Sequence, residues 1–64
     1  MVQINGEQKD VQGMSLITYL EQEGYQKNRI AVECNGEILP KVEYEQKILQ
    51  DGDVLEIVSF VGGG

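Results

Sequence analysis

The chain has no histidine, no tryptophan, one cysteine and one proline among its 64 residues. Without histidine, the commonest general base and the one side chain that ordinarily titrates near neutrality are missing. A lone cysteine excludes an intramolecular disulfide and, with no histidine to join it, a structural zinc site. Basic residues are also scarce: five Lys and Arg stand against eleven Asp and Glu, for a net charge of −6. Such a balance disfavours nucleic acid, whose phosphates need cations, and disfavours an anionic membrane surface. It suits a soluble protein and a partner with a basic docking face. No apolar run approaches the roughly 20 residues of a membrane-spanning helix. The first residues lack the basic segment and apolar run of a signal peptide. The expectation is a cytoplasmic protein with a free thiol, binding neither nucleic acid nor membrane. Its length suits one small domain over residues 1–64, stabilised by a core of Val, Ile and Leu.

What is present is mostly strand. Val2-Gln3-Ile4-Asn5 alternates apolar and polar, as a half-buried strand does. Asn5-Gly6 supplies the positive φ angles of a tight hairpin, and Glu7 to Val11 reads as a polar return strand at an edge. Ser15 is placed to cap a helix with its hydroxyl, with Met14 and Tyr19 as a hydrophobic staple. Leu16, Ile17 and Leu20 form the buried stripe of a helix of about nine residues, too short to hold unless docked on a sheet. Gly24 suits the left-handed residue that ends it, with Tyr25 folding back onto Leu20.

Ile30 to Cys34 alternates again, Asn35-Gly36 is a second turn, and Glu37-Ile38-Leu39 pairs briefly before Pro40, which cannot donate to a ladder. Val42 to Glu45 reads as a single helical turn carrying Tyr44, and Lys47-Ile48-Leu49 as a short edge strand. Asp51-Gly52-Asp53 is a third turn, and Val54 to Val61 the longest β-prone run. Strands with a single helix imply an α+β fold: a mixed sheet of four to five strands with one short helix packed on one face. The most apolar strand, the last, is expected at the centre, parallel to the first.

No catalytic constellation is visible. Asp51 and Asp53 flank a turn glycine and read as solvated turn residues rather than metal ligands. Cys34 alternates in register with Ile30 and Val32 and has Glu33 and Glu37 near it, so it reads as an unreactive core residue. In the last strand, Leu55, Ile57, Ser59 and Val61 share the face expected against the helix, leaving Val54, Glu56, Val58 and Phe60 on the other. An outward Phe60 with Val58 and Val61 suits a partner-docking patch. The alternative is that Phe60 tucks under the loop holding Tyr44. Gly62-Gly63-Gly64 follow. Glycine has no Cβ and the widest backbone freedom, and a three-residue arm reaches about 10 Å. Such an arm, flexible over residues 62–64, suits delivery of a terminal carboxylate into another protein's narrow site.

The run from Leu49 through Asp51-Gly52-Asp53, Leu55, Ile57 and Phe60 to Gly64 resembles the C-terminus of the ThiS family, the thiamin-biosynthesis sulfur carriers. The opening strand–Asn-Gly–strand pattern and the chain length are compatible with that family, whose fold is the ubiquitin-like β-grasp. The small subunit of molybdopterin synthase is a similar carrier, but its tail usually carries prolines, which Ser59-Phe60-Val61 lacks. A non-covalent β-grasp interaction module is the remaining alternative.

The resemblance implies a substrate protein rather than an enzyme, with no cofactor of its own. A ThiF-type adenylating enzyme would use ATP and magnesium to join the Gly64 carboxylate to AMP. Sulfur drawn from cysteine by a desulfurase would replace AMP, leaving a thiocarboxylate on Gly64. A ThiG-type thiazole synthase would then take the sulfur into the thiazole ring. The resemblance also makes Gly62 and Gly63 necessary for access, and suggests a monomer when free.

Overall fold

A computed structural model of the chain describes residues 1–60. The expectations for Val61, Gly62, Gly63 and Gly64 therefore lie outside the described residues. The elements are β1 (Val2–Ile4), β2 (Glu7–Lys9), α1 (Leu16–Gln22), β3 (Ile30–Cys34), β4 (Glu37–Leu39) and β5 (Val54–Ser59), with single 3-10 turns at Lys27–Arg29 and Lys41–Glu43. The five strands lie in the order β2-β1-β5-β3-β4. β5 runs parallel to β1 and antiparallel to β3. The last strand thus holds the centre of a mixed sheet, because the intervening helix supplies the crossover that parallel strands need.

Alternation puts Val2, Ile4, Ile30, Val32, Leu55 and Ile57 on one face, where they join Leu16, Tyr19 and Leu20 of α1 in a single core. Tyr44 and Leu49, from the segment between β4 and β5, close its side; both are buried. The helix ends as its residues require. Gly24 takes φ +81°, its N–H bonds the Glu21 carbonyl at 3.2 Å, and the Tyr25 N–H bonds the Leu20 carbonyl at 2.9 Å. This is the paired-bond termination that a left-handed glycine permits.

Four local expectations are corrected. The helix spans seven residues rather than nine. Ser15 precedes it in extended conformation but its hydroxyl makes no capping bond. Its backbone forms an isolated bridge with Ile48, and the Leu16 N–H is taken by the Lys47 carbonyl at 2.9 Å. Lys47-Ile48-Leu49 contributes only that bridge and is not a strand of the sheet. The return strand β2 stops at Lys9, short of Val11, which turns inward against the core instead. Among the described residues, no helix is long and apolar enough to cross a membrane.

Candidate functional site: the central strand and the open sheet face

The site is built on β5, and each flank of β5 is clamped by an asparagine. Asn5 and Asn35 occupy the first position of their hairpin turns with φ 50° and 54°, each followed by a glycine with φ above 80°. Asparagine tolerates that left-handed conformation better than most residues and brings a side chain that can donate and accept. Asn5 Oδ1 accepts the Ile57 N–H at 2.7 Å, and Asn5 Nδ2 donates to the Ile57 carbonyl at 3.2 Å. Asn35 Oδ1 accepts the Val54 N–H at 2.9 Å, while the Asn35 N–H bonds the Val54 carbonyl at 2.8 Å. The two turn residues therefore extend the ladder on each side of β5 beyond the backbone pairing. The Phe60 N–H, donated to the Arg29 carbonyl at 2.8 Å, carries the pairing one residue past the strand.

At the start of β5, Asp53 is buried, 8% exposed, rather than solvated. Its carboxylate accepts from the Gln50 N–H at 3.0 Å and Asn35 Nδ2 at 3.1 Å, and pairs with Lys47 Nζ at 2.9 Å. Burial pushes this carboxyl up, but the Lys47 ammonium and the two neutral donors outweigh it, so Asp53 sits below the usual carboxylate range. Its bond to Asp53 raises Lys47 in turn. Asp51, on the other side of the turn glycine, remains exposed. With its oxygens committed to these donors, Asp53 is a structural anchor for the turn that launches β5.

Cys34 is half-buried against the core. Burial raises its thiol, and Asp53 and Glu37 add to that; Lys47, which the sequence reading did not bring near it, pulls the other way without reversing the shift. The thiol is held in its weakly nucleophilic protonated form.

The outward residues of β5 form the second part of the site. Leu55 and Ile57 are buried beneath the sheet, while Val54, Glu56 and Val58 face away with their cross-strand neighbours. Ala31 lies opposite Val58 and Glu33 opposite Glu56, Ile38 lies opposite Glu33, and Gln3 opposite Val54. Val54, Val58, Phe60 and Ile38 are 41%, 57%, 53% and 67% exposed. Phe60 is thus not tucked under the loop of Tyr44, which is itself buried. The apolar residues of this face come from three strands and are interrupted by Glu33 and Glu56. Val54 is expected on this face from the alternation of the last strand, whereas Ile38 is not. Alternation along each strand signals such residues, but only the register between strands places them together.

Comparison with known proteins agrees with this architecture. The ThiS family model matches residues 2–64. The sulfur carrier protein ThiS of Thermus thermophilus is 38% identical over 64 residues, covering 100% of both chains. A thiazole synthase of Paramagnetospirillum magneticum is 45% identical over 62 residues, which are 95% of this chain but only 19% of that protein. This chain therefore spans about a fifth of that enzyme's length. The crystal structure of the thiamine biosynthesis protein (ThiS) from Geobacter metallireducens superposes with a TM-score of 0.74 at 28% identity, covering 98% of this chain and 97% of that one. The shared architecture is the β-grasp: a five-stranded mixed sheet with one helix across one face.

Proposed function

The chain belongs to the ThiS family, and from that premise we propose that it is a sulfur carrier of thiamine biosynthesis whose working group is the carboxylate of Gly64. The observation that carries this reading is the family match over residues 2–64, which takes in the whole glycine run. β5 supports it, being hydrogen-bonded on both flanks and then at Phe60, immediately before the tail segment.

A free carboxylate resists substitution because its leaving group would be oxide. Attack of a carboxylate oxygen of Gly64 on the α-phosphorus of ATP releases pyrophosphate and forms an acyl-adenylate. AMP is then the leaving group when the terminal sulfur of a desulfurase persulfide attacks the acyl carbon, giving an acyl disulfide. A second thiol of the sulfur-delivering protein attacks its enzyme-side sulfur, so that a disulfide forms there and the thiocarboxylate is released on Gly64. Thiazole synthase is the acceptor of that sulfur. ATP and magnesium belong to the adenylating enzyme; the carrier contributes one atom position and the means to present it. Gly62 and Gly63 admit the arm to a narrow site because neither carries a Cβ. Cys34, with its raised thiol, takes no part. The apolar residues Val58, Phe60 and Val61 dock the partner, and the carrier is monomeric when free.

The test is intact-mass measurement after incubation with the cognate adenylating enzyme, ATP, magnesium and a sulfur source. The expected gain is that of one oxygen replaced by one sulfur. Deletion of Gly64, or Gly64→Ala, is expected to abolish the gain while leaving the thermal melt unchanged. An unchanged wild-type mass in the presence of active enzyme overturns the carrier reading.

A further inference from the structure

We infer that the open sheet face is read by an arginine-bearing surface of thiazole synthase, with Glu33 and Glu56 together holding the guanidinium. This rests on the carrier reading above and names the contact by which that partner would be recognised.

The starting point is a pairing that the fold does not explain. Glu33 and Glu56 are direct cross-strand partners in β3 and β5, both exposed, and no ion pair among the described residues involves either one. Like charges placed directly opposite on one sheet face destabilise it. Their surroundings deepen the anomaly. The next rung is Ala31 with Val58, Ile38 flanks Glu33, and Val54 and Val58 are the same-face neighbours of Glu56 along β5, with Phe60 just past the end of the strand. The two carboxylates thus have apolar neighbours along β5, β3 and β4, with Gln3 and Gln8 further across the face, and no Lys or Arg of the strands shares that face.

The charge decides among occupants. A second copy of this chain, face to face, would bring four carboxylates together. Lipid headgroups and nucleic acid phosphates are repelled. A wholly apolar partner surface would bury two unpaired charges, at a cost that hydrophobic contact does not offset. A guanidinium framed by apolar side chains fits all of these features. Its planar fork donates to two carboxylates at once, it is weakly hydrated, and its flat faces accept an apolar frame. The same face extends along β5 to Phe60, so docking there fixes the base of the tail relative to the acceptor site. Thiazole synthase is the partner assigned because a relative of this chain is found as one segment within such an enzyme, where carrier and synthase share a polypeptide.

The experiment compares wild type with Glu33→Gln, Glu56→Gln and the double variant in three readouts. These are thermal melting, loading by the cognate adenylating enzyme, and affinity for cognate thiazole synthase by calorimetry at low and high salt. The double variant is expected to melt no lower than wild type, since a repulsion has been removed, and to load normally. Its binding to thiazole synthase is expected to weaken by about tenfold or more, as for truncation of a buried interfacial charge pair, and to lose most of its salt dependence. Phe60→Ala is expected to weaken the same binding without changing its salt dependence. Unchanged affinity of the folded double variant overturns the inference. So does loss of loading with synthase binding intact, which would give the face to the adenylating enzyme. In either case normal loading of wild type leaves the carrier reading standing; failure of wild type to load removes both.

Discussion

At the scale of single residues, the side chains that matter are those whose polar atoms have, or lack, a partner. Ser15 looks like a helix cap in the sequence, yet its hydroxyl is buried and bonded to nothing among the described residues. Its backbone is committed to the bridge with Ile48, and that long-range contact overrides the local preference. Ser15→Ala is therefore expected to leave the melting temperature unchanged or raised, because it removes an unsatisfied buried group. A loss of about 1 kcal/mol, the usual cost of deleting a working cap, would show that the hydroxyl does bond the helix. Asp53 is the opposite case. Its carboxyl is held below the usual range, so its contribution is present above the ordinary aspartate pKa of 3.8 and is lost as pH falls through the lower folded value. Lys47 is raised, so its contribution is present below 10.5 and is lost as pH climbs through the higher folded value. Stability is expected to be flat between these limits as far as this pair is concerned. Asp53→Asn, which leaves the half-buried Lys47 without its anion, should cost about 1–3 kcal/mol at neutral pH and shrink the acid-side loss of melting temperature. A variant with wild-type stability and the full acid slope would show that the pair contributes nothing.

At the scale of elements, β5 is the strand on which everything else depends, and the two Asn-Gly turns are its clamps. Both turns are legible in the sequence, because positive φ at consecutive positions leaves few residue choices. The central place of β5 is also legible, from its apolar length. What the turns do next is not. Asn5 reaches Ile57 and Asn35 reaches Val54 only because β1 and β3 flank β5 from opposite sides in opposite directions, and no local window of sequence contains that geometry. The same holds for the meeting of Lys47, Asp53 and Asn35, and for Glu33 opposite Glu56. Substitution by glycine separates the two roles of each asparagine, keeping the left-handed backbone and removing the clamp. Asn5→Gly is expected to deprotect the Ile57 amide in hydrogen exchange and Asn35→Gly the Val54 amide, each with a loss of about 1–2 kcal/mol. Equal protection in variant and wild type would show that the backbone ladder alone holds β5.

At the scale of the whole molecule, the chain has a net charge of −6, a single core beneath one sheet face and an apolar patch interrupted by two acids on the other. The fold was readable from alternation, turn residues and one glycine-terminated helix, since each of these is a local rule. The candidate site was readable in the outward residues of the last strand, Val54, Glu56, Val58 and Phe60; its extent across β3 and β4 needed the register. The division of labour in the proposed function follows from this arrangement: the sheet recognises, and the glycine segment presents the reacting atom. The most direct measurement of that claim is to locate the sulfur. After loading with the cognate adenylating enzyme, ATP, magnesium and a sulfur source, the chain is cleaved and its peptides are fragmented in a mass spectrometer. The account expects the exchange of one oxygen for sulfur on the peptide ending in Gly64, assigned to the terminal carboxyl, with the Cys34 peptide unchanged. Sulfur added to Cys34 as a persulfide, with Gly64 unmodified, would contradict it.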